Sequence, residues 1–358
     1  MRFFIALAAI AIAISLALTG TDAGAAESSW TTIEPGGETS CATGTPYSFH
    51  VKPGNGADAE KLLLFLNGGG ACWTGDLCMP ESEPSAYVPF ADVPSNNPHG
   101  QKGVFDLAHP ENPVSSWTHV YAPYCTGDVH IGNRDVTYKT SAGRDLTIRH
   151  RGRTNVEAVL AWVYDNVKTP QRIIVAGSSA GAVAAPLYAA EVAHHYPSVE
   201  VIALADGAGG YRDEKVSGLI ENWGFWDDAP EWTAAITRET ATFEDIDRAA
   251  AAHAPTMRVT EFDTAYDSVQ EMFLRLLGNE TPLYSLLQKN RDELADAIPG
   301  FQSYTARGTA HTLLRYPWFY TFEEEGVRTA DWFRALANGE NVESVSCREP
   351  KICALPGE

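Results

Sequence analysis

The segment Arg172-Ile173-Ile174-Val175-Ala176 followed by Gly177-Ser178-Ser179-Ala180-Gly181 constrains the fold of this chain more than any other. A short, wholly apolar run reads as a strand buried on both faces. The stretch after it, Ala180 to about Tyr196, is rich in Ala, Leu, Tyr and Val and ends at Pro197, which predicts a helix with Pro186 as a candidate kink. Strand, Gly-x-Ser-x-Gly and helix in immediate succession form the context of a nucleophile elbow. So tight a turn admits only small neighbours around the serine, and Gly177, Ala180 and Gly181 qualify. Such a turn lifts Ser179 above the carboxyl edge of a sheet, beside the positive N-terminus of the helix.

Other segments extend the same pattern. Leu62-Leu63-Leu64-Phe65-Leu66 is a buried strand that stops at Asn67-Gly68-Gly69-Gly70. Val120 to Tyr124 reads as a second strand, and Val199 to Ala205, before Asp206-Gly207, as a fourth. Thr154 is a candidate cap for a helix carrying Val156, Val159, Leu160 and Val163 at helical spacing. Strands alternating with helices need crossover connections and predict an α/β, doubly wound, mostly parallel sheet. The Trp-rich, acidic stretch from about Tyr211 to Thr256 predicts a mostly helical insertion over the sheet.

The chain opens with Arg2, an apolar run from Phe3 to Leu18 and a small-x-small site at Ala23-Gly24-Ala25, the layout of a cleavable signal peptide over 1–25. Residues 26–358 are then expected to form one large α/β domain, secreted to the extracellular space or periplasm, with no stable membrane insertion. The net charge of -20 leaves no basic stripe for nucleic acid. The six cysteines, an even number in an exported chain, point to disulfides. Two close pairs, Cys72 with Cys78 and Cys347 with Cys353, leave Cys41 for Cys125, although spacing alone does not fix connectivity. No Cys-x-x-Cys or His at zinc-ligand spacing accompanies them, so no zinc site is expected, and acyl transfer by a serine requires no metal or organic cofactor.

A serine nucleophile needs oxyanion donors, a base and an acid. The amide of Ala180 is one candidate donor, and the glycine loop after Leu66 is where another belongs. The fold's chain order of Ser, acid, His leaves four histidines after Ser179. His194 and His195 close the following helix and His253 lies in an Ala-rich stretch, whereas His311 sits in a late loop suited to a general base. For the acid, the residues leave Asp206, Asp263 and Asp267 as candidates, and Asp206 could equally hydrogen-bond the elbow.

These segments together resemble the pectinacetylesterase family, which also holds the carboxylesterase Notum. The resemblance rests on Leu64 to Trp73, Tyr124-Cys125-Thr126-Gly127-Asp128, Gly177 to Gly181, Ala205-Asp206-Gly207, Tyr266-Asp267-Ser268-Val269-Gln270 and Gly308-Thr309-Ala310-His311, in that order. It implies an α/β-hydrolase-like fold with helices on both faces of the sheet and a triad of Ser179, Asp267 and His311, with oxyanion donors at Gly69, Gly70 and Ala180. It also implies the pairings Cys72 to Cys78 and Cys41 to Cys125. The implied substrate is an O-acetyl ester on an extracellular polysaccharide. The charge disfavours a long polygalacturonate unless arginines such as Arg134, Arg144, Arg149, Arg151 and Arg153 line a groove. A carboxylesterase on longer acyl or lipid esters is the alternative, and a non-catalytic glycan-binding protein a third. Gly70 stands where the family commonly has a bulky aromatic residue and Asn67 where it commonly has an acid, departures that bear on the acyl pocket.

Overall fold

The computed structural model describes residues 30–80, 85–348 and 350–354; the signal-peptide reading of 1–25 lies outside the described residues. In chain order the main elements are β1 (Thr31–Ile33), β2 (Phe49–Lys52), β3 (Lys61–Leu66), β4 (Thr118–Ala122), the hairpin β5 (Arg134–Lys139) and β6 (Asp145–His150), α1 (Gly152–Asn166), β7 (Arg172–Ser178), α2 (Ala180–His195) and β8 (Glu200–Asp206). They continue with α3 (Val216–Asn222), α4 (Phe243–His253), β9 (Arg258–Thr264), α5 (Ser268–Leu277), α6 (Leu283–Ala297) and β10 (Gln302–Ala306). The chain then forms β11 (Glu323–Glu324), β12 (Val327–Arg328), α7 (Thr329–Asn338), β13 (Val345–Ser346) and α8 (Pro350–Cys353).

Nine strands form one sheet in the order β1-β2-β4-β3-β7-β8-β9-β10-β13. From β4 to β13 all neighbours are parallel, and β1 and β2 add an antiparallel edge. The apolar runs explain why this sheet is covered on both faces. Along β3, Leu62, Leu64 and Leu66 enter a core shared with α1 and α2, while Leu63 and Phe65 enter a second core shared with α7. Ile173 and Val175 alternate with Ile174 and Ala176 in the same way along β7. This is the doubly wound α/β arrangement expected from uninterrupted hydrophobic strands.

Helix α2 is buried almost all round, which suits its small, apolar composition and brings the backbone close to β7 and β8. Gly181 is required there, since a Cβ would lie 2.0 Å from the carbonyl oxygen of Leu66. Helix α1 starts earlier than the Thr154 cap predicted. Its N-cap is Arg151, and the Thr154 hydroxyl donates to Asn133 Oδ1 at 2.8 Å instead of to its own helix. The segment between β8 and β9 is largely helical, with α3, α4 and single-turn helices. Within it α4 carries a reciprocal capping box between Thr242 and Asp245.

Disulfides join Cys41 to Cys125, Cys72 to Cys78 and Cys347 to Cys353. Among the described residues no helix is long and apolar enough to cross a membrane.

Candidate active site

Ser179 sits at the end of β7 with φ 55 and ψ -120, a conformation that a non-glycine residue holds only when its surroundings impose it. Parallel pairing on both sides of β7 imposes it here. The Ser179 amide donates to the Asp206 carbonyl at 2.7 Å, and the amide of Ala182 returns to the Ser179 carbonyl at 2.8 Å. A Cβ on Gly177 would meet the Gly181 carbonyl at 2.1 Å, and one on Gly68 would meet Ser179 Cβ at 2.7 Å. The glycine loop after β3 is therefore pressed directly against the elbow.

That loop is held by the buried Asn67. Its amide nitrogen donates to Ser95 O at 2.9 Å and Asn96 Oδ1 at 2.7 Å, and its side-chain oxygen accepts from Arg315. A carboxylate could accept from Arg315 but could not make the two donations. His130 Nε2 lies 2.8 Å from the Asn67 carbonyl, so the ring carries its proton on Nε2. Burial pulls the pKa of His130 down to about 4, which keeps it neutral at physiological pH. Gly70 has φ +82, and a Cβ there would lie 2.0 Å from the Ala86 carbonyl oxygen. The strand-like contact between Gly69–Ala71 and Ala86–Val88 fills the space a large side chain would need.

His311 and Asp267 are joined by a 2.7 Å contact between Nδ1 and Oδ2. Asp267 is fully buried and also caps α5, its Oδ1 accepting from the amides of Val269 at 2.9 Å and Gln270 at 3.1 Å. The carboxylate thus draws the imidazole proton to Nδ1 and leaves Nε2 as a proton acceptor. Gly207 packs against this ring, a Cβ there falling 3.5 Å from His311 Cε1. Because Asp206 and Gly207 touch both the Ser179 amide and the His311 loop, they draw Ser179 and the His311 loop together at the carboxyl edge of the sheet.

The other acid candidates serve different partners. Asp263 is held by Arg291 Nη2 at 2.7 Å and Gln270 Nε2 at 2.7 Å, and Gln270 also reaches Asp267 Oδ2 at 3.2 Å. Burial raises the pKa of Asp263 to about 6, with Arg291 opposing the shift. Asp206 binds Ser178 and the loop after His311. Of the remaining histidines, His194 and His195 are exposed at the end of α2, and His253 stacks on Trp232.

An apolar cavity of about 40 Å³ opens beside Ser179. Gly70, Val129, Ala180 and Val183 form its floor, and the insertion and α5 supply Val216, Leu219, Trp223, Phe243, Phe273 and Leu277. Tyr211 lines it too, beside Ser179. Burial and the nearby charges of Asp267 and Asp263 push the Tyr211 pKa well up, so it is a neutral hydroxyl. Neither Tyr211 nor the cap residues were singled out from sequence, where an aromatic in an insertion carries no distinctive spacing. The arginines considered for a groove are largely engaged: Arg134 with Asp227 at 2.5 Å, Arg151 with Asp135 at 2.8 Å and Arg153 with Glu157 at 2.9 Å. Through space His150 joins Cys72 and Cys78 as a group with ligand atoms within 4.8 Å, which linear spacing does not reveal; the two sulfurs are bonded to each other.

The pectinacetylesterase family profile matches residues 27–222, more than half of the chain. That span includes the glycine loop and Ser179 and ends before Asp267 and His311. Pectin acetylesterase 4 of Arabidopsis thaliana is 25% identical over 177 residues, 47% of this chain and 40% of that protein. Palmitoleoyl-protein carboxylesterase notum2 of Xenopus laevis is 27% identical over 144 residues, 39% of this chain and 27% of that protein. The chain therefore aligns with less than half the length of either relative. With its mostly parallel α/β sheet and this matched span, the chain belongs to the pectinacetylesterase family.

Proposed function

We propose that the protein is a secreted serine carboxylic-ester hydrolase that removes O-acetyl groups from an extracellular polysaccharide. The observation that carries this reading is the 2.7 Å His311–Asp267 pair, tied through Asp206 and Gly207 to the strained Ser179 elbow. His311 Nε2 takes the Ser179 proton as Oγ attacks the ester carbonyl, giving a tetrahedral oxyanion. The amides of Gly69, Gly70 and Ala180 stabilise that oxyanion. The imidazolium, oriented by Asp267, returns the proton to the departing sugar hydroxyl, leaving an acetyl-enzyme. A water molecule then gives its proton to His311 and attacks, and acetate leaves as Ser179 is regenerated. No cofactor enters these steps.

The acetyl reading is supported by the family match and by the Arabidopsis relative, which is named a pectin acetylesterase. The wall chemistry of the apolar cavity supports a second reading: its aliphatic and aromatic lining also suits a longer acyl chain if the cap opens, and the Xenopus relative is named for a palmitoleoyl ester. Released acetate should be measured across acetylated pectin, acetylated xylan and simple aryl acetates, beside octanoyl aryl esters. Acetate release from a polysaccharide supports the first reading. Hydrolysis confined to octanoyl esters would replace it with the second, and no hydrolysis of any ester would favour glycan binding without catalysis.

A further inference from the structure

Asp206 is fully buried at the tip of β8 and binds two elements that the chemistry must hold in register. On one side its carbonyl accepts the Ser179 amide at 2.7 Å, and its Oδ2 accepts the Ser178 hydroxyl at 2.7 Å. On the other, its Oδ1 accepts the Leu313 amide at 2.8 Å and its Oδ2 the Leu314 amide at 3.0 Å. Leu313 and Leu314 follow His311 directly, across Thr312, whose φ of 62 marks a bend that needs outside support. Trp318 and Thr264 fix the carbonyls of Thr312 and Ala310, so the only side chain that joins this bend to the elbow is Asp206 among the hydrogen bonds described.

We infer that Asp206 is a positioning residue that clamps the nucleophile elbow to the base loop and sets the placement of His311 relative to Ser179. The inference rests on the assignment of Ser179, His311 and Asp267 proposed above. A buried carboxylate suits this task because each oxygen can accept from several directions, which a neutral amide cannot do. It also places a negative charge facing the imidazolium that forms during turnover. Burial raises the pKa of Asp206 to about 6, against the donations from Leu314, Ser178 and Leu313 and the attraction of His311. The charged and titratable groups facing this centre are His311 and Arg315 beside Asp206, and Asp267 beside His311. Tyr211 and Asp263 lie behind Asp267.

The test compares Asp206→Asn, Asp206→Glu, Ser178→Ala and Ser179→Ala on p-nitrophenyl acetate, with active sites counted by fluorophosphonate labelling. Asp206→Asn keeps the volume but turns a donor toward at least one of the groups that donate to Asp206. Misplacing the base by a fraction of an ångström to 1 Å should lower kcat per labelled site about 100-fold while KM changes less than about threefold. The acid limb of kcat/KM should move to lower pH, because a negative charge that favours imidazolium is gone. Ser178→Ala, which spares both base-loop bonds, should lose less than about tenfold and keep its acid limb. Asp206→Glu should keep the acid limb but not kcat, and it decides the question if the Asn variant does not fold. Either Asp206 variant turning over within about threefold of wild type per labelled site, with an unmoved acid limb, overturns the clamp. A loss explained entirely by fewer labelled sites overturns it as well. If Ser179→Ala remains fully active, the triad itself fails and the clamp falls with it; if only Ser179→Ala is inactive, the clamp alone fails.

Discussion

Asp267 Oδ2 receives His311 Nδ1 at 2.7 Å while Gln270 Nε2 approaches the same oxygen at 3.2 Å. One oxygen thus orients the imidazole, and Gln270 ties it through Asp263 to the buried Arg291. Asp267→Asn preserves a capping oxygen for α5 but can present an amide donor to His311 and favour the wrong tautomer. It should lower kcat by about 10³–10⁴-fold, with a small change in melting temperature. Steady-state kinetics and thermal unfolding on the same preparation check this. Retained kcat would remove Asp267 from the proposed triad.

Acyl-chain selection should respond to the cavity wall. Phe273 of α5 is buried against the opening beside Ser179. Phe273→Ala should raise the octanoyl-to-acetyl ratio of kcat/KM by at least about tenfold, since pocket length is read a few methylenes at a time. Competition between the two p-nitrophenyl esters measures the ratio. An unchanged ratio would mean that the acyl group lies elsewhere.

The disulfides should differ in what they contribute to stability. Cys41–Cys125 spans 84 residues and the other two span six each. Chain entropy gives about 4.5 kcal/mol for the long closure and about 2 kcal/mol for a short one. Cys41→Ser with Cys125→Ser should therefore lower the unfolding free energy by roughly 2 kcal/mol more than Cys347→Ser with Cys353→Ser in denaturant titrations. Equal losses would contradict the loop-length account.

Buried His119 offers a pH test outside the site. Burial lowers its pKa to about 3, while the unfolded chain returns it to about 6.5. Below 6.5 the unfolded state binds the extra proton, so this residue withdraws stability as pH falls toward 3. Asp128, Asp206 and Asp263, raised to about 6, act in the opposite direction over part of that range. The difference between wild type and His119→Gln isolates the histidine. The variant should lose less stability than wild type between pH 6.5 and 4, measured by denaturant unfolding. Parallel curves would show that His119 does not titrate in this way.

Much of this arrangement was legible because hydrophobic runs and glycines act locally. The apolar runs of β3, β7 and β8 reveal a sheet covered on both faces, and the elbow follows from the small residues flanking Ser179. Physics alone left the acid open, because Asp206, Asp263 and Asp267 all follow or end strands. The fold gives them different partners, on which the proposed assignment rests: Asp267 meets His311, Asp263 meets Arg291, and Asp206 bridges two loops. The start of α1 was misread because Thr154 finds Asn133, a partner 21 residues away. Tyr211 was missed because its place beside Ser179 depends on the path of the insertion. The closure over Gly70 was equally hidden, since it depends on Ala86 folding back across the loop.

In the proposed mechanism Ser179 carries the acyl group during turnover. The protein should be labelled with a fluorophosphonate and mapped by peptide mass spectrometry, beside Ser179→Ala assayed on p-nitrophenyl acetate. One adduct, on Ser179, is expected, with a loss of several orders of magnitude in the variant. An adduct on another residue, together with undiminished turnover by Ser179→Ala, would contradict it.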